Sequence, residues 1–306
     1  ATDALKTGTN ALTLTTGGNI SLAGVNSGAL SVTGAAITLN NDITTTGSQS
    51  YTGPVSLANS ITLDSGSSGA VSFSSTVNSA NSTARDLNIS TGSGDVTFTG
   101  AVGNTYALGA IAIDSTGTTT FGSTVNAASL TTNVGGTTSL GGNVTTTGAQ
   151  TYNDAVVLTG DVTLDADTIT TLGAIASANY NLTMLVDNLS LGSDVNGGSG
   201  VITIKPHTVS RSIGLGDAAT GDLHLSNTEL GYINTSGHNF AGIVIGDSVN
   251  GIGAVVYQPG ATLTFGSALT LQQRSSGAGI SINNNITTSG AQTYTGAVQL
   301  GADITL

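Results

Sequence analysis

The sequence predicts an all-β protein, a parallel β-helix (β-solenoid) built from coils of about 20 residues. Three observations lead there: a composition unsuited to helices, a two-residue hydrophobic alternation, and a phrase that returns at near multiples of one length. Of the 306 residues, 7% are charged and 4% aromatic, while 44 are glycine. Soluble helices take their surfaces from Lys, Glu and Leu, and that supply is missing. Disorder is excluded by the 38% hydrophobic content, since chains too poor in aliphatics to build a core are the ones that stay unfolded.

The aliphatic residues alternate with Thr, Ser and Asn, as in "ALTLTT", "NISLAGV", "ALSVTG" and "AAITLN". A period of two is the mark of half-buried strands. In pairs such as Val55/Leu57, Val71/Phe73 and Val96/Phe98 the apolar members face inward, and Thr and Ser fill outward positions because they favour extended backbone and stay soluble without charge. No helix is expected anywhere; "SNTELGYI" is too short and stops at Gly231.

"TTTGSQSYTGPVSLANSITL" (44–63) returns as "TTTGAQTYNDAVVLTGDVTL" (145–164) and "TTSGAQTYTGAVQLGADITL" (287–306). The equivalent positions are Gly47, Gly148 and Gly290; Gln49, Gln150 and Gln292; and Tyr51, Tyr152 and Tyr294. The two intervals are unequal, yet five and seven units of about 20 residues account for them. Coils of constant length place the three phrases on one side of the solenoid. Each glycine then turns a corner, and the Gln and Tyr, two apart, point the same way as partners in a corner cluster. The whole of 1–306 is expected to be a single continuous solenoid, a segment of a longer repetitive protein or a stacking subunit.

The formal net charge is −12, with only Lys6, Arg85, Lys205, Arg211 and Arg274 basic. Nothing there neutralises a phosphate backbone, so nucleic acid is not an expected partner. Apolar runs reach only four or five residues, too short for a helical membrane span. Cysteine is absent, which excludes disulfides and thiolate metal sites and suits an exported chain. No charged-then-apolar leader opens the sequence, so an export signal is expected to be removed or to lie outside this segment.

The stretch 211–256 resembles a recurring segment of filamentous haemagglutinin-like exoproteins of two-partner secretion and related β-strand repeat adhesins. The resemblance rests on Arg211, Ile213, Leu215 and Gly216, then Gly221, Leu223, Leu225, Ser226, Glu229 and Leu230, then Ile245, Gly246 and Gly251, with the "TTGAQTY" phrase in support. It implies a right-handed parallel β-helix, export across an outer membrane, and an extracellular or bacterial cell-surface location as fibre or adhesin. The family's Asn-Pro-Asn-Gly secretion motif and any Arg-Gly-Asp tripeptide are missing.

Little in the sequence points to chemistry, and no enzyme activity is expected. Of the histidines His207, His224 and His238, His224 sits between Leu223 and Leu225 as an outward strand residue, and no G-x-S-x-G elbow is present. The densest acidic patch, "DVTLDAD", holds Asp161, Asp165 and Asp167; Asp165 and Asp167 share one strand face, as a carboxylate pair for glycan hydrolysis would, but no further acid or nearby base is evident. The same three aspartates are the one candidate for Ca²⁺, which takes six to eight oxygens, although a solvated acidic turn is the better explanation of them. No other cofactor is expected. Glycine-rich "GLGDAATG" and "GIGAVV" lack the lysine of a phosphate loop, and Thr-x-Thr (118–120, 145–147) does not recur at each coil as an ice-matching lattice requires. The leading expectation is a non-enzymatic extracellular shaft of a surface adhesin or fibre. Its partners would be itself or flanking repeats end to end, and host or cell-surface glycans or proteins. The alternatives are a subunit that stacks head-to-tail into a filament, because β-helix ends expose unpaired edges, and more remotely a glycan-acting enzyme.

Overall fold

A computed structural model describes residues 5–233, 240–260, 262–301 and 303–306. Strands throughout pair in parallel, and the fold is a β-solenoid with coils of roughly 20 residues. The chain divides into two compact units, Ala1–Val156 and Val157–Leu306.

The amino-terminal unit has three faces. On the first, Leu5–Lys6, Val25–Ser27, Ile43–Thr45, Ile61–Asp64, Leu87–Gly92, Leu108–Ser115 and Val125–Thr132 stack in sequence order. Strands from Leu12–Thr15 through Gln49–Thr52 and Val71–Phe73 to Thr137–Leu140 form the second. The third runs from Asn19–Leu22 through Ala36–Leu39 and Val55–Leu57 to Val77–Ser79, then by single bridges through Val102 to Val125. Alternation decides which side chains go in: Val55, Leu57, Val71, Phe73, Val96 and Phe98 are all buried, as the pattern predicts. Because register is preserved from coil to coil, like stacks on like. Tyr51, Phe73, Phe98 and Phe121 are successive partners on the second face. Their rings stack nearly parallel, with centroids 5.1, 4.9 and 5.0 Å apart. Offset stacking of this kind adds about 1 kcal/mol per pair beyond the area buried.

The expectation that the repeated phrases share one side fails within this unit. Gln49–Thr52 belongs to the second face, whereas Ala149–Tyr152 pairs with the Leu130–Thr132 end of Val125–Thr132 and continues the first. Coil length is the reason. From Ile43 the column climbs through Leu63, Ile89, Ile113 and Thr132, and the fifth coil brings it to Tyr152. The residue equivalent to Ile43 in the second phrase is Val144, so that copy stops short of five full coils. The steps from Leu63 to Ile89 and from Ile89 to Ile113 are the long ones, and their surplus amounts to one strand and a corner. The second copy is turned by one face.

In the carboxy-terminal unit, Val162–Thr171, Leu182–Leu191, Val201–Lys205, Gly242–Asp247, Ala268–Gln273 and Gln292–Thr295 stack in that order. A second column runs Leu223–Leu225, Ile213–Leu215, Val255–Tyr257, Ile280–Ile282, Val298–Leu300. The step from Ile202 to its partner Ile243 is twice an ordinary coil. The surplus holds a helix, α1 (Asn227–Tyr232), which corrects the expectation that "SNTELGYI" is not helical. Intrinsic propensity does not sustain so short a helix. A reciprocal capping box does: the Glu229 N–H donates to Ser226 Oγ, and the Ser226 N–H donates to Glu229 Oε2 at 2.9 Å. Glu229 Oε1 also accepts from the Leu191 N–H at 3.2 Å, and Leu230 and Ile233 are buried, so the helix is held by tertiary anchors. Among the described residues no helix is long and apolar enough to cross a membrane.

Candidate functional site

The repeated phrase builds one hydrogen-bonded corner in all three copies. In the first, the Thr45 hydroxyl donates to the Gly47 carbonyl, Gln49 Nε2 donates to the Ile43 carbonyl at 3.4 Å, and Tyr51 Oη donates to Gln49 Oε1 at 2.8 Å. Thr146, Gly148, Val144, Gln150 and Tyr152 repeat it, as do Thr288, Gly290, Ile286, Gln292 and Tyr294. The corner cluster read from the sequence is thus formed by Gln and Tyr, with a threonine that the sequence reading missed. Its signal is the Thr-x-Gly-x-Gln-x-Tyr spacing itself. Burial pushes the Tyr51 and Tyr152 hydroxyls well above the ordinary phenol range, so they act as neutral donors. Gln49 and Gln150 are fully buried, and a buried carboxamide is tolerated only because its oxygen and nitrogen are both satisfied. These corners hold the coil together.

Asp154, two residues past Tyr152 within the second copy, is also buried. It accepts from the Gly136 N–H at 3.1 Å and the Thr138 hydroxyl at 3.2 Å. Burial raises its pKa, and these two donors only partly offset that. With the folded pKa above the unfolded one, its contribution is fully present at low pH and is lost as pH rises through the folded value. Asp154→Asn is therefore expected to stabilise the protein at pH 7, with the gap from the parent closing toward pH 4. Urea midpoints at the two pH values check this.

The three aspartates proposed for Ca²⁺ do not come together. Asp161 accepts from the Asn181 N–H at 2.9 Å and its side chain at 3.1 Å, Asp165 Oδ1 lies 2.6 Å from His207 Nδ1, and Asp167 is exposed. Among the described residues no group of three or more His, Asp or Glu is placed to hold a metal ion. What forms instead is a charged clamp over Val162–Thr171 and Leu182–Leu191. The expectation that no further acid or base stands near Asp165 is corrected by Asp187, His207 and Arg211. Asp187 accepts from the Thr208 N–H at 2.7 Å and hydroxyl at 2.6 Å, and Arg211 Nε lies 3.1 Å from it. Burial alone would raise its pKa, but the Thr208 donors, Arg211 and His207 outweigh that and hold it below the usual carboxylate range. Lys205 pairs with Asp247 at 3.3 Å. The recoverable signal was coil spacing, since Asp167, Asp187 and His207 follow one another at a single coil length. These pairings tie 205–211 to the strands below it. His224 Nε2 lies 3.0 Å from the Gly216 carbonyl; His238 falls outside the described residues.

The resemblance segment closes on itself. Ile213–Leu215 and Leu223–Leu225 pair in parallel, flanked by Ser212 with Asp222 and by Asp217 with Asn227 in reciprocal bonds. The outer side of the amino-terminal unit's second face carries a hydroxyl at every coil: Thr13, Ser31, Ser50, Ser72, Thr97, Thr120 and Ser139. More than half of them are serines, so a regular threonine lattice is not formed.

No family model, curated protein or solved structure matches this chain. Its function must be read from its own geometry.

Proposed function

We propose that the chain is the shaft of a bacterial surface adhesin or fibre, a non-enzymatic extracellular structural protein. The observation that carries this reading is the uninterrupted stacking within each unit. On the second face coil pairs with coil in register, buried columns such as Tyr51–Phe73–Phe98–Phe121 run along the stack, and the same hydrogen-bonded corner recurs. Nearest-neighbour stacking gives a body whose length is set by coil number, which is what a spacer requires. The sparsely charged, Ser/Thr-rich exterior suits a fibre, because its hydration comes mostly from hydroxyl and amide groups that salt does not screen.

Negative-stain electron microscopy of the purified chain over a concentration series tests the reading. Isolated elongated particles of one length at every concentration are expected. Filaments that lengthen with concentration would move the function to head-to-tail self-assembly, and rounded particles would refute both.

A further inference from the structure

On the outer side of the first face of the amino-terminal unit lies a groove of about 320 Å³. It crosses five strands from Thr62 to Asn153, about 20 Å along the stack at ordinary interstrand spacing. Asn88, Ala112 and Thr131 are successive partners in adjacent strands and form one row. Two residues further along the chain, Asp114, Asn133 and Asn153 form the other. Alanine between Asn88 and Thr131 leaves the dip, and the exposed inner surface is almost entirely carbon.

The rim is polar and largely fixed. Asn133 Nδ2 donates to Asp114 Oδ1 at 2.8 Å, and Asn133 Oδ1 accepts from the Ser115 N–H at 3.0 Å. That holds the Asp114 carboxylate while leaving its second oxygen open. Asn153 Nδ2 donates to the Thr132 carbonyl at 2.6 Å, which leaves its oxygen as an acceptor. The Asn88 carboxamide and Thr131 hydroxyl are exposed and supply both donors and acceptors. A carbon floor between rows of amide, hydroxyl and carboxylate groups matches a sugar, which offers C–H patches on its faces and hydroxyls around its edge. The charge argument narrows the class. The chain carries −12 and the groove's one ionised group is acidic, so polyanions are repelled.

We propose that this groove binds a neutral oligosaccharide lying along the stacking direction. The site is built on strands, so little ordering is needed on binding. The inference does not rest on the shaft reading, because a groove of this kind would bind glycan on a fibre or on an isolated particle.

The test is isothermal titration calorimetry of the full chain with cellohexaose, maltohexaose and mannohexaose, and with a heparin hexasaccharide as the anionic comparator. At least one neutral hexasaccharide is expected to bind saturably, with no heparin binding. Ala112→Gln, which fills the dip, should weaken binding at least tenfold, and Thr97→Ala on the second face should leave it unchanged. If Ala112→Gln disturbs the fold by circular dichroism, the exposed pair Asn88→Ala with Thr131→Ala takes its place and should also weaken binding. Absence of neutral-sugar binding at millimolar concentration, preference for heparin, or parental affinity in the groove variants would each overturn the proposal.

Discussion

Replacing Phe98 with alanine is expected to destabilise the amino-terminal unit by about 4 kcal/mol. Phe98 is fully buried in the middle of the aromatic column, with Phe73 on one side and Phe121 on the other. Truncation removes the transfer energy of the ring, leaves a cavity, and ends two stacking contacts at once. The cavity cannot collapse readily, because the strands above and below are held at fixed spacing by their ladder hydrogen bonds. Phe98→Leu should recover more than half of the loss, since it refills most of the volume without restoring the stacking. Denaturant midpoints measured on both variants decide the point. A Phe98→Ala cost below about 1 kcal/mol would show that the column is not packed as described.

The second large effect is at Gly246, and the expected cost of Gly246→Ala is at least about 3 kcal/mol. Gly246 has φ +101°, a region that L-residues with a side chain avoid. A β-carbon there would stand 1.9 Å from the Gln272 carbonyl oxygen on the partner strand. The pairing of Gly242–Asp247 with Ala268–Gln273 must then open at that end, taking with it the bond from Gln272 Nε2 to the Gly246 carbonyl. Hydrogen exchange should show lost protection across Ala268–Gln273 first. Gly231→Ala is the comparison: it lies inside α1, a β-carbon there meets nothing within 4 Å, and a gain of up to about 1 kcal/mol is expected. Equal behaviour of the two variants would contradict the strand register at Gly246.

The contrast between these glycines illustrates what a sequence conveys. Gly246 and Gly231 both sit in the stretch that resembles the exoprotein repeat, and nothing in the letters separates a glycine required by backbone conformation from one that is merely tolerated. The strands were legible because alternation is a local property. Val71/Phe73 and Val96/Phe98 declare their inward side within three residues, and the structure buries all four. The helix at Asn227–Tyr232 was not legible from propensity, since its support comes from a capping box and from Glu229 reaching the Leu191 N–H, far back in the chain.

The candidate sites divide in the same way. The Gln–Tyr pair of the corner was readable because it is local in sequence, Tyr51 donating to Gln49 two residues away, whereas the bond from Gln49 to the Asp64 carbonyl fifteen residues on was not. The clamp was not, because Asp165 meets His207 and Lys205 meets Asp247 across two coils of chain. The aspartates adjacent in sequence, Asp161, Asp165 and Asp167, go to separate surroundings instead of sharing an ion.

By itself, then, the sequence determined the alternation of strand and corner, the approximate length of a coil, and the Gly, Gln and Tyr that meet at each repeated corner. All of these depend on bonds and packing within a single turn of chain. Only the tertiary structure decided which face each copy occupies, which charges meet, and where an outer row dips at Ala112 to leave a groove. Those depend on summed coil lengths. Two long coils, ending at Ile89 and Ile113, carry the second phrase from one face to the next, and a strand's neighbours change with such a shift while its own pattern stays the same.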